Sequence, residues 1–123
     1  MLDTSVAIHL RDGEASVLDR VFTLQEALML SIVSVVELEA GVMGAQAAIR
    51  RQRLDILLDN VSVRAFGRRE SDLYGEIVRA VGYSRRKVLD RMIAAQAIAA
   101  NATLVTLNGA DFRDVPDLRL LEW

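Results

Sequence analysis

Apolar and polar positions along this chain alternate between a period near two and a period near three and a half, and the switches mark its elements. Residues 103–107 are apolar and few, as a buried strand is, and they follow a helix rich in small side chains. Ala94, Ala95, Ala97, Ala99 and Ala100 carry too little bulk to hold that helix away from a sheet. Residues 27–32 read as a second buried strand, after which Ser34 opens a helix reaching about Gly44. Residues 45–58 continue as a helix, with Ala48, Leu54, Ile56, Leu57 and Leu58 apolar and Arg50, Arg51 and Arg53 on a polar side. Val61, Val63 and Ala65 then alternate with Ser62 and Arg64, the pattern of a half-buried strand. Leu73, Ile77, Val78 and Val81 form the stripe of a helix over residues 71–81, which Gly82 ends.

The two ends complete the alternation. Residues 1–3 look like the end of a strand whose beginning is very short or missing. Thr4 and Ser5 cap a helix through about Leu10; residues 11–14 break it, and residues 15–22 resume. After a turn at residues 108–111 and an interruption at Pro116, residues 118–121 read as an edge strand, with Trp123 packed on the sheet. No repeat, low-complexity tract or linker interrupts the sequence. The expected class is α/β with a mostly parallel sheet, residues 103–107 at its centre.

Composition narrows the chemistry. A chain of 123 residues, 52% hydrophobic, suits one domain over residues 1–123 with a real core. Its net charge of −2 names no partner. The absence of cysteine excludes disulfides, thiolate metal sites and thiol nucleophiles, and favours a reducing compartment. His9 is the one histidine and has no second histidine one turn on, so it reads as a packed or solvent-facing residue rather than a ligand. Any chemistry falls to carboxylates. The apolar run at residues 27–36 is about half the ~20 residues a membrane span needs, and no secretory leader is visible, so a cytoplasmic protein is expected.

In open α/β sheets, ligands collect outside the carboxyl ends of the strands. Asp3, Glu37 and Asp111 each follow an expected strand closely, and Asp90 caps the helix leading into another, so all four point to one edge. Each also has a local explanation. Asp3 and Asp90 suit helix caps, Asp111 an Asx-turn, and Glu37 a capping box with Ser34; Glu39 reads as solvated. Together the four would repel one another unless a cation held them. Arg85, Arg86 and Lys87 stand just before Asp90, either as a solvated loop or as contacts to the phosphates of a nucleic-acid backbone.

Four stretches in order carry a resemblance. Leu2-Asp3-Thr4-Ser5, Ser34-Val35-Val36-Glu37-Leu38, Leu89-Asp90-Arg91-Met92-Ile93-Ala94-Ala95 and Thr103 through Phe112 look like the successive motifs of PIN-domain ribonucleases. Within that superfamily the chain is most similar to the VapC-type toxins of bacterial toxin–antitoxin pairs, whose usual ending resembles Val115 through Trp123. The resemblance implies an α/β/α sandwich, RNA cleavage dependent on Mg²⁺ or Mn²⁺, a homodimer, and a VapB-like antitoxin whose tail fills the site. It makes Asp3 and Asp90 the principal metal ligands, Glu37 a ligand or water-orienting carboxylate, and Asp111 a further acid. Thr106 matches the motif's hydroxyl and steadies the site. Ser5 stands where members often have asparagine, and Asn108 competes with Asp111 for the fourth position. Two other readings compete. One is a non-catalytic binding module on the same fold. The other is a phosphatase with Asp3 as nucleophile, which lacks a second aspartate at position 5 and a late lysine beyond Lys87.

Overall fold

The computed structural model describes residues 1–123, and its sheet is assembled around Leu2. Leu2 bridges in parallel to Leu30 on one side and to Val105 on the other. Outward lie β1 (Met29–Ser31) and β2 (Ser62–Arg64) on the first side, β3 (Leu104–Thr106) and β4 (Leu120–Glu122) on the second. The order is therefore β2, β1, the Leu2 segment, β3, β4, and every pairing is parallel. The centre expected at residues 103–107 lies instead at the N-terminal segment. Its backbone is bonded on both sides: Leu2 N–H to the Met29 carbonyl at 2.8 Å, and Asp3 N–H to the Val105 carbonyl at 2.9 Å. A segment this short shows no period of its own, so its neighbours reveal it.

Helices cover both faces: α1 (Thr4–Asp12), α2 (Ala15–Thr23), α3 (Ile32–Ala40), α4 (Ala47–Asp59), α5 (Arg68–Val81) and α6 (Val88–Ala99). Successive strand residues point to opposite faces. Leu2, Leu30 and Val105 join Val6, Ala7, Leu54 and Leu57 in one core layer, while Met1 and Leu104 join Ile77, Ile93 and Phe112 in the other. The result is the expected α/β/α sandwich with a parallel sheet. Ala94, Ala95 and Ala97 are fully buried, and α6 lies against the sheet and α5 as small side chains allow.

Several local expectations change. The N-cap of α3 is Ser31, whose Oγ accepts from the Val33 amide at 2.9 Å; Ser34 lies one turn inside, buried, and caps nothing. That helix stops at Ala40 rather than near Gly44. Strand β2 is an exposed edge rather than half buried, because no further strand or helix layer covers it. Helix α5 begins three residues earlier than its stripe suggested, where the Glu70 carboxylate accepts from the Gly67 amide at 2.8 Å. Glu39 is exposed, as expected, and there forks onto Arg51 at 2.7 and 3.1 Å. No single helix is long and apolar enough to cross a membrane.

Candidate active site

Asp3 ends the central segment at the carboxyl edge of the sheet, with α1 starting immediately after it. It occupies the N-cap position of α1, yet its side chain makes no capping bond. Its Oδ2 instead accepts from Ser5 Oγ at 2.6 Å and from Thr106 Oγ1 at 2.8 Å. Both donors engage the same oxygen, which leaves Oδ1 without a protein partner. Asp3 is 4% exposed, so this orientation is fixed inside the fold. Thr106, at the end of β3, also accepts from the Asn108 amide at 2.9 Å and so ties the following turn to Asp3. Ser5 Oγ accepts from the Leu107 amide at 3.2 Å.

Glu37 is placed by α3. Its partner is not Ser34, as the capping-box reading had it, but Thr4: Thr4 Oγ1 lies 2.5 Å from Glu37 Oε2 and 2.8 Å from Ser34 Oγ. A contact spanning 33 residues replaces the local one. Asp90 stands in the first turn of α6, two residues inside it, and is not a cap.

Asp90 reports the cluster electrostatically. Its carboxyl is pushed up to about 6, first by burial and then by the negative charges of Asp111, Asp3 and Glu37, against a weaker opposing effect of Arg91. The four acids expected at one edge are therefore brought together there. They do not close a cage, since no three of them converge tightly enough to enclose an ion by themselves.

Arg91 and Lys87 fix the fourth acid. Arg91 is buried; it donates to the Asp111 carbonyl at 3.0 Å and to Asp114 at 2.6 Å, which holds the Asp114 carboxyl below its ordinary range. Lys87 Nζ lies 3.9 Å from Asp111 Oδ1, at the rim of the acids. Arg85 and Arg86 occupy the same short turn and are exposed. Asn108 is exposed and begins the turn over Gly109–Asp111 that carries Asp111.

A PIN-domain family model matches residues 1–118. The chain belongs to the PIN-domain family. Among relatives of this PIN domain, the ribonuclease VapC2 of Rickettsia felis is 32% identical, the alignment covering 100% of this chain and 96% of that protein. The ribonuclease VapC1 of Haemophilus influenzae is 28% identical over 100% of this chain and 96% of its own length. Among solved structures, VapBC2 from Rickettsia felis bound to a DNA fragment from their promoter superposes with a TM-score of 0.87 at 28% identity, covering 100% of this chain and 97% of the matched one. VapBC-1 from nontypeable Haemophilus influenzae gives 0.81 at 26% identity, with 100% and 96% covered.

Sequence reasoning missed three residues of this PIN domain's site. Thr4 and Ser34 read as helix caps, and Arg91 read as the residue after a cap. Their partners lie 30, 33 and 20 residues away, where no local spacing rule reaches. The signal available was the hydroxyl next to Asp3, in a position where α1 needs no cap.

Proposed function

We propose that this chain is a VapC-type endoribonuclease toxin: one cytoplasmic domain that forms a homodimer, hydrolyses RNA with Mg²⁺ or Mn²⁺, and is restrained by a VapB-like antitoxin. The observation that carries the reading is the gathering of Asp3, Glu37, Asp90 and Asp111 at the sheet's carboxyl edge, with Asp90 pushed up first by burial and then by the charges of the other three. The donor set fits such an ion. All donors are oxygens, Asp3 is oriented with Oδ1 free, and an open set suits Mg²⁺, which keeps several waters and uses one or two carboxylates plus substrate phosphate. The names of the similar proteins support the toxin and antitoxin parts of the proposal.

Asp3 and Asp90 would hold the ion. When bound, it supplies a water of lowered pKa and neutralises charge on the phosphate oxygens. Glu37 would be a further ligand or the carboxylate that orients the attacking water, and Asp111 completes the negative edge. Ser5 and Thr106 keep Asp3 in its binding rotamer, while Asn108 shapes the turn beside it. Arg85 and Arg86 bind phosphates flanking the scissile one; Lys87, paired to Asp111, also meets the RNA backbone at the site's rim.

The test is cleavage of total cellular RNA by purified protein with Mg²⁺, Mn²⁺ or EDTA, comparing wild type with Asp90→Asn. Metal-dependent cleavage lost in the variant is expected. Equal cleavage by both proteins, or none by either, would overturn the reading and return the fold to a binding role.

A further inference from the structure

Three consecutive residues, Asp3-Thr4-Ser5, do three jobs in the acidic cluster. Asp3 is one of the acids, Ser5 bonds Asp3, and Thr4 reaches across to Glu37 on α3. We infer that Thr4, braced by Ser34, is a positioning residue that sets the orientation of the Glu37 carboxylate relative to Asp3. The inference deepens the proposed function and rests on it for the role of Glu37.

The proton inventory fixes the direction of the contacts. A hydroxyl has one proton, and an ionised carboxylate only accepts. Thr4 must therefore donate to Glu37 Oε2 at 2.5 Å, which obliges Ser34 to donate to Thr4 at 2.8 Å. The chain of bonds runs Ser34 to Thr4 to Glu37, and each hydroxyl polarises the next. A bond this short between a hydroxyl and a carboxylate is of the charge-assisted kind. It uses Oε2 and leaves Oε1 without a protein partner, as Oδ1 of Asp3 is left.

Packing gives no reason for this pair of hydroxyls. Ser34 is fully buried and Thr4 is 9% exposed, and two apolar side chains of similar size would fill the space without any polar group to satisfy. Capping gives none either: the N-cap of α3 is Ser31, and the Thr4 hydroxyl turns away from its own helix toward α3. What the pair accomplishes is a tie between two elements. The Asp3 backbone is locked to β3 through Val105, and Thr4 is the next residue, so α3 cannot slide without carrying Glu37 against that bond. The distance between two acids on different elements is thereby set by one peptide unit and one hydrogen bond.

The test is a double-mutant cycle with Thr4→Val, Thr4→Ser, Glu37→Gln and Thr4→Val/Glu37→Gln. Two readouts are taken: kcat and KM for RNA cleavage, and Mn²⁺ affinity of the metal-free protein by calorimetry. Thr4→Val should lower kcat by about 10–100-fold with KM unchanged, the usual cost of removing a partner behind a metal-site carboxylate. Thr4→Ser should restore most of the rate, and the double variant should match Glu37→Gln alone in both readouts. Wild-type behaviour of Thr4→Val, or losses that multiply in the double variant, would overturn the inference. If wild type binds Mn²⁺ but cleaves no RNA, the ribonuclease reading fails, and the calorimetric cycle decides the role of Thr4 by the same criterion. Should Thr4→Val not fold, Ser34→Ala cycled against Glu37→Gln replaces it; a smaller loss that vanishes in the Glu37→Gln background supports the tie, and a loss that persists there refutes it.

Discussion

Asp90 is the residue at which the fold works against itself. Its carboxyl stands at about 6 in the folded chain against an ordinary 3.8. Below pH 3.8 both folded and unfolded chains hold this proton, so Asp90 costs nothing. As pH rises from there the unfolded chain releases it first, stability falls, and the loss is complete above about 6. Because Asp90 is partly solvated, screening keeps the effect modest. Asp90→Asn should therefore raise the Tm of metal-free protein at pH 7.5 and leave it nearly unchanged at pH 4, and Mn²⁺ added to wild type should close the gap. Thermal denaturation at the two pH values checks this; a variant less stable than wild type at pH 7.5 would contradict it. Asp90 was legible in sequence because an acid opening an alanine-rich helix is a local signal. Glu37 was legible as a residue but not in its contacts: Ser34 at the right spacing offered a capping box, and only the packing of α1 against α3 shows that Thr4 takes its place.

At the scale of elements, α6 was read closely and α3 was not. The alanines of α6 announce close approach whatever lies opposite, and Ala94, Ala95 and Ala97 are fully buried, while Ala99 and Ala100 at its end are only partly so. Ala95→Leu inserts three carbons where no space exists and should cost about 1–3 kcal/mol, measured by urea denaturation. A neutral result would mean that α6 can tilt away from its neighbours. The start of α3 misled because two serines, Ser31 and Ser34, stand one turn apart and both suit an N-cap. Ser31 wins through the strand: β1 ends at Ser31, so the helix begins immediately, and Ser31 Oγ also meets Gln96 of α6. Gln96 in turn donates to the Arg64 and Ala65 carbonyls at 2.8 and 3.0 Å, holding the exit of the edge strand. Such a buried side-chain bridge between three elements leaves no trace in hydrophobic periodicity.

The whole molecule is two core layers sharing one thin sheet. Leu30 belongs to one layer and Ile93 to the other, and both are fully buried. The N-terminal segment, β1 and β3 each supply residues to both layers, so neither layer can lose its packing while the other keeps its sheet. Leu30→Ala and Ile93→Ala should each cost about 2–5 kcal/mol and each leave a single unfolding transition by calorimetry. Two separated transitions in either variant would show that the layers fold independently. The alternation of strands and helices gave the class from sequence, but the strand order was hidden, because the central segment contributes a single bridging residue on each side.

That arrangement has a consequence for synthesis. Residues 1–3 occupy the middle of the sheet, and the Met1 nitrogen bonds the Thr103 carbonyl 102 positions later. Loops this long close slowly, and the chain emerges from the N-terminus onward. A nascent polypeptide therefore carries Asp3, Glu37 and then Asp90 before it has the β3 segment that draws Asp3 into place through Thr106. The acidic edge comes into being only after residues 104–106 have been made and flank residues 1–3.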